Sequence, residues 1–338
     1  MDFAFTDDQL ALATTVRKVL AEHCPPSSLR ASAQQTGARL PGWSQLAEVG
    51  FFGLLVPESS EGLGLGLVDA ILALEETGRA ALPGPVVETA AIAPFLLTPE
   101  CLARLAAGDL RVSVRLGGQV YAPDADAADL LIIEHRGALH TISSELARLT
   151  PQPGVDPVRR LFSVAVEGAG TVPLAAVAPP AVRVATVAVA AQLIGLARHL
   201  LETSVAYARG RTQFGAPIGS FQAVKHLLAD VAIAVDFAAP LVYAAAVALS
   251  PPFKLLPAKE TELDRAVSAA KAAAGEAAAQ AARVALQVHG AVGYTDELDL
   301  RYWLARVWSL DPAYGSAALH RSRLRTAILG SPELRRWP

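Results

Sequence analysis

The sequence predicts a mainly α-helical protein in which a small β domain separates an N-terminal helical domain from a C-terminal four-helix bundle. Three features support this. Apolar residues recur at helical spacing through both ends of the chain. Between about residues 108 and 180 they alternate with polar ones instead. Beyond residue 181, long alanine-, leucine- and valine-rich stretches are broken in only a few places. The expected limits are 1–108, 109–180 and 181–338.

The 338 residues, 52% hydrophobic and 18% charged, suffice for a large buried core, with apolar surface left to cover against another subunit. A net charge of -3 argues against nucleic acid or an anionic membrane as partner, since both call for concentrated basic charge. Cys24 and Cys101 have no metal-ligand spacing, so neither a disulfide framework nor a metal site is expected. The start, Met1-Asp2-Phe3-Ala4-Phe5-Thr6-Asp7-Asp8, lacks the basic and apolar parts of a signal peptide. The longest apolar run, 231–249, holds Asp236 and Pro240 and reads as a buried helix, not a membrane span, in a cytoplasmic protein.

In chain order, Thr6-Asp7-Asp8-Gln9 has the form of a capping box. Leu10, Leu12, Val16, Val19 and Leu20 continue a helix that Pro25-Pro26 ends. A second helix is expected from about Pro41 through Trp43, Leu46 and Val49 to Gly50, then a buried extended link over 51–57. The glycines of Glu61-Gly62-Leu63-Gly64-Leu65-Gly66 lack dinucleotide-fingerprint spacing and mark a turn. Helices are expected over 68–77 and 88–97, and strands over 111–116, 130–133 and 161–166. The bundle segments are 184–209, 220–249, 260–289 and 298–328, with breaks at the Arg211 loop, at 251–257 and at 290–295. Residues 266–285 are alanine-rich, which favours helix and close packing.

Two segments carry candidate chemistry. Arg209-Gly210-Arg211-Thr212-Gln213-Phe214-Gly215 is a basic, glycine-punctuated break between helices, and guanidinium groups beside freed backbone suit an anion. A solvated connecting loop is the plain alternative. Gln287-Val288-His289-Gly290-Ala291-Val292-Gly293-Tyr294 closes the third bundle helix, with Gly290 as its stop. His289 there fits a satisfied core histidine as well as any catalyst.

The order R-x-x-F-G, then Pro217, Ile218, Phe221 and Gln222, resembles the flavin-contacting loop of acyl-CoA dehydrogenases. The 287–294 segment resembles that family's Gln-x-x-Gly-Gly-x-Gly-Tyr, with Ala291 at the second glycine. Trp43, Phe52-Gly53, Val56-Pro57-Glu58, Gly62-Leu63-Gly64 and Glu75-Glu76 resemble its N-terminal helical domain, so the resemblance spans nearly the whole chain. It implies FAD as cofactor, held across a subunit interface: Arg211 on pyrophosphate, Gln213 and Phe214 beside it, and Gln222, Gln287, Gly290 and Ala291 along the adenosine half.

The family removes an α-proton of an acyl-CoA with a carboxylate while the β-hydrogen leaves as hydride to the flavin. Here Tyr314 stands where most members place that Glu, and Ala185, 26 residues before Arg211, where a minority place it. The flavin-binding Thr/Glu-Pro-x-x-Gly-Ser-Asp and Trp-Ile-Thr/Ser segments are missing from a β domain of about seventy residues. What remains would serve a neighbour's flavin. The pattern is similar to the shorter, non-catalytic subunit of actinobacterial α2β2 acyl-CoA dehydrogenases. That implies a longer catalytic partner subunit, an acyl-CoA in the partner's site (a steroid side-chain CoA ester) and a flavin electron acceptor protein. Two alternatives stand beside it: a homomeric flavoenzyme using Tyr314 or Asp311, and a flavin-free scaffold or regulatory homologue. On its own chemistry, Asp311-Pro312 reads as a helix-start turn.

Overall fold

Thr6 and Gln9 cap each other reciprocally at the start of the first helix, α1 (Asp7–His23). Gln9 also donates to Asp69, tying α1 to the helix that starts there. The computed structural model describes residues 4–34, 40–116, 118–165, 171–175, 178–250 and 260–330. The expected break at 251–257, residue 166 of the third expected strand, and Met1-Asp2-Phe3 lie outside them.

The N-terminal part continues with α2 (Pro26–Gln34), α3 (Trp43–Glu48), α4 (Leu67–Arg79) and α5 (Pro99–Ala106). Neither α2 nor α5 was expected. Each is nine residues or fewer and starts on a proline, which is tolerated in a first helical turn. Residues 51–56 are buried as expected and Pro57 is exposed, but Phe51–Gly53 is a 3-10 turn and not extended chain. The helix expected over 88–97 is a π-helix, Glu88–Ile92, running into a 3-10 turn, Ala93–Phe95.

The middle region forms two small sheets. One has the order β1 (Val112–Arg115), β3 (Leu130–His135), β4 (Ala138–Ser143), β7 (Val172–Leu174). The other runs β2 (Ala122–Pro123), β6 (Leu161–Ala165), β5 (Arg148–Gln152). β1 and β3 pair in parallel, and the other pairs are antiparallel. Strand alternation gives β3 two duties: Leu131 and Ile133 enter a small core with Phe162 and Val164, and Ile132 enters the main core. The strands missed in the sequence, β2, β4, β5 and β7, are short or carry polar residues that are only partly buried.

α6 (Ala178–Gly210), α7 (Gln222–Leu249) and α8 (Glu260–His289) pack against one another, and α10 (Ala317–Leu329) lies on α8. The single helix expected over 298–328 is instead two, α9 (Leu300–Leu310) and α10. Pro312 cannot donate to a continuing ladder, Tyr314 and Gly315 take φ of 56° and 109°, and Ser316 caps α10. α6 and α7 are both long and apolar enough to cross a membrane, yet the apolar window of α6 is 83% buried within the protein. That of α7 is only 39% buried, which corrects the expectation of a buried helix over 231–249. Ile233, Phe237 and Leu241, spaced one turn apart, line its open face at 55%, 77% and 42% exposure.

α4 and α6 cross at two reciprocal glycines. A Cβ on Gly78 would overlap the Gln192 carbonyl oxygen, and one on Gly195 the Glu75 carbonyl oxygen. Gln192 donates to Thr77 at 3.0 Å in the same crossing. Neither backbone can retreat alone, so Gly195→Ala should cost about 2–3 kcal/mol of stability, measured by denaturant unfolding. A loss within error of zero would show that the helices separate freely.

Candidate functional site

Arg211 follows the last turn of α6, its N–H donating to the Tyr207 carbonyl at 2.8 Å. The chain then folds into a hairpin, Thr212–Gln213 paired with Ala216–Pro217. Its two-residue turn, Phe214 and Gly215, has φ of 54° and 80°, the two positive values that a type I′ turn needs. Phe214 is 94% exposed at its tip. Ile218 donates to the Arg211 carbonyl, and after Phe221 the chain enters α7 with Gln222 as its first residue. Arg211, Gln213 and Gln222 are all exposed, and no carboxylate among the described residues pairs with Arg211.

The second segment meets the first through a ring contact that the sequence did not announce. Tyr207, one turn before Arg211, lies 4.3 Å from the His289 ring at the end of α8. His289 is buried, its Nδ1 paired with the Ala285 carbonyl at 2.8 Å, and burial lowers its pKa. It is a core histidine. Gln287 and Ala291 are exposed beside it. Gly290 has φ of 61°, and a Cβ there would meet nothing within 4 Å. The space over Gly290 is therefore open, and the first-turn N–H groups of α7 add to the positive potential of Arg211. All seven residues expected to contact a cofactor thus lie at one end of the bundle. Exposed guanidinium, amide and backbone donors around an exposed aromatic ring suit a dinucleotide with a pyrophosphate.

The two base positions lie elsewhere. Ala185 is buried in α6, 26 residues or about 39 Å along the helix from Arg211. Tyr314 sits in the turn between α9 and α10, held from below by α8. Lys271 is fully buried and donates to the carbonyls of Asp311 and Gly315 at 2.6 and 2.9 Å. His320 bridges the Tyr314 carbonyl and Ser268 at 3.0 and 3.1 Å. Burial lowers Lys271 to about 8 and His320 to about 4. This clamp holds Tyr314 in its left-handed conformation. A lone lysine amid alanines was the signal available in the sequence.

Tyr314 is buried, and among the described residues its hydroxyl has no partner in hydrogen-bonding geometry. Gln119, whose Oε1 is also buried and unpaired, is near enough to influence it but outside bonding geometry. Burial, reinforced by Glu88, holds the phenol well above its ordinary pKa. Asp311 turns its carboxylate into α8, where a Cβ on Gly275 would lie 2.5 Å from Oδ1. The Tyr314 hydroxyl and Asp311 Oδ1 are both withdrawn from solvent. Behind this turn, a cavity of about 720 Å³ is lined by Arg183, Ser268, His320 and Arg323.

Comparison with known proteins places this geometry. The acyl-CoA dehydrogenase N-terminal domain model matches residues 6–98, and the C-terminal domain model residues 177–329. The chain is 32% identical to acyl-CoA dehydrogenase IpdE2 of Mycobacterium tuberculosis, over 96% of this chain and 99% of that one. It is also 32% identical to IpdE2 of Mycolicibacterium smegmatis, over 93% and 94%. Among solved structures, the Tcur3481-Tcur3483 steroid ACAD superposes with a TM-score of 0.83 at 23% identity, covering 96% of this chain and 98% of that one. The ChsE4-ChsE5 complex from Mycobacterium tuberculosis does so at 0.80 and 22%, covering 98% and 100%. At such identities the structural likeness is one of fold. Sequence relatives and family models add the lineage, and the chain belongs to the acyl-CoA dehydrogenase family.

Proposed function

We propose that this chain is the non-catalytic subunit of a cytoplasmic, heteromeric acyl-CoA dehydrogenase that desaturates a steroid-derived acyl-CoA thioester. The observation that carries the proposal is a separation. The exposed cluster at Arg211 and Gln287 lies at the C-terminal end of α8, and the turn bearing Tyr314 is clamped at Lys271, 18 residues or about 27 Å back along the same helix. In this proposal the cluster serves a cleft away from the Tyr314 turn, and that cleft belongs to a partner.

In this proposal Arg211 sets the pyrophosphate of the partner's FAD, Gln213 and Phe214 flank it, and Gln222, Gln287, Gly290 and Ala291 line its adenosine half. FAD, when bound, would supply a hydride acceptor, the partner would supply the carboxylate for the α-proton, and an electron acceptor flavoprotein would take the electrons from the complex. The apolar stripe Ile233, Phe237 and Leu241 lies on the helix that starts beside Arg211 and supplies surface to cover against the partner. The pairwise naming of the two similar solved structures supports an unlike partner.

Co-expression with a longer acyl-CoA dehydrogenase chain that carries the catalytic Glu should give a flavin-loaded, active complex, and this chain alone should be colourless and inactive. Yellow, active protein from this chain alone would overturn the proposal. In the complex, Arg211→Ala should weaken flavin retention about tenfold or more, measured by FAD content after gel filtration. Unchanged flavin would favour a scaffold role.

Tyr314→Phe separates this proposal from a homomeric enzyme. Removing an unpaired buried hydroxyl should raise stability by about 1 kcal/mol and leave turnover of the complex unchanged. A fall in kcat of about 100-fold or more would identify the phenol as the base.

A further inference from the structure

Each half of the cofactor cluster is fastened to an aromatic ring. On α6, the Arg211 N–H donates to the Tyr207 carbonyl at 2.8 Å, and the returning chain donates from Ile218 to the Arg211 carbonyl at 2.8 Å. Gly219, just past the hairpin, lies so close to α6 that a Cβ there would come within 3.0 Å of the Ala208 carbonyl oxygen. The Arg211 hairpin is thereby carried by the helical turn that bears Tyr207. On α8, His289 Nδ1 donates to the Ala285 carbonyl at 2.8 Å, which fixes the ring against its own helix. The turn Gly290–Tyr294 folds back on the same residue, since a Cβ on Gly293 would lie 3.2 Å from the His289 Cβ. The Gly290 turn is thereby carried by His289.

The two rings meet with their centroids 4.3 Å apart and their planes tilted by 30°. Between Ala270 and Ala285 the buried side chains of α8 are mostly alanines. Small side chains let α6 and α8 approach closely, but their ridges are shallow and resist sliding weakly. A pair of aromatic rings is a larger and more directional contact, and it stands where the two cofactor-facing segments begin.

We propose that Tyr207 and His289 are positioning residues, whose ring contact sets the spacing between the Arg211 hairpin and the Gly290 turn so that both close on one bound dinucleotide. This role rests on the cofactor reading of the cluster given above. Neither ring has to touch the ligand, because each acts through the segment it carries. Without the contact, Arg211 and Gly290 keep their chemistry but are free to part, and a bound ligand must then supply their ordering.

The chain alone tests the joint. Nitroxide labels at Gln213→Cys and Gln287→Cys, in a Cys24→Ala, Cys101→Ser background, report the spacing by pulsed electron resonance. The distribution should be narrow with Tyr207 in place, wider in Tyr207→Leu, which lacks the ring, and narrow again in Tyr207→Phe. In the complex with a longer, Glu-bearing chain, Tyr207→Leu should speed FAD loss about tenfold, and Tyr207→Phe should stay within about twofold of the parent. Should Tyr207→Leu not fold, His289→Leu carries the same expectation. Added to Arg211→Ala, Tyr207→Leu should cost little more, because it acts through that arginine. Unchanged spacing in Tyr207→Leu overturns the joint. Wider spacing with unchanged FAD loss, or a fully additive double variant, overturns the positioning role. An Arg211→Ala complex that keeps its FAD would instead overturn the cofactor reading, whatever the spacing shows.

Discussion

The crossing of α4 and α6 at Gly78 and Gly195 fixes where nearly everything else lies. Backbone-to-backbone contact leaves no side chain to cushion an error, so the register of α6 against the N-terminal helices is set at that point. From there α6 runs on to Tyr207 and Arg211, and α8 packs along its length. The crossing also collects charge. Glu75 pairs with Arg198 and accepts the Tyr243 hydroxyl at 2.7 Å, and Glu76 accepts Arg17 at 2.7 Å. Those side chains carry mostly alternating charges, so the buried acids are neutralised where the helices are closest.

Much of this was legible in the residues. The Thr6-Gln9 cap, the ends of α8 and the bundle helices follow from periodicity and punctuation, because a long amphipathic or alanine-rich segment leaves little else to choose. Short elements were not legible. The π-helix at Glu88 has no local signature, and β4 and β5 are half-exposed strands whose pairing depends on partners distant in sequence. The apolar period of 298–328 continues on both sides of the turn and favours a single helix, and Pro312 and Gly315 are what divide it.

The candidate site divides the same way. The seven residues expected around a cofactor were found by motif, and the structure gathers them at one end of the bundle. The contact that gathers them, Tyr207 on His289, joins residues 82 positions apart and had no sequence signal. Glu88, Asp124 and Arg306 were invisible for a related reason. Each is an ordinary surface-type residue in the sequence, and only burial at a junction of three regions gives it meaning. Charge in the interior is a property of the tertiary fold, not of a segment.

The hairpin tip has a consequence for how such a protein can change. Phe214 holds a left-handed backbone angle that glycine or asparagine would adopt without strain, and its ring is almost wholly exposed. For the chain by itself, phenylalanine is a poor residue at that point. Engineering for thermal tolerance that scored only this chain would discard the ring and gain about 1 kcal/mol. In the proposed assembly, residue 214 is therefore a place where folding and partner binding make opposite demands, and its identity favours the second.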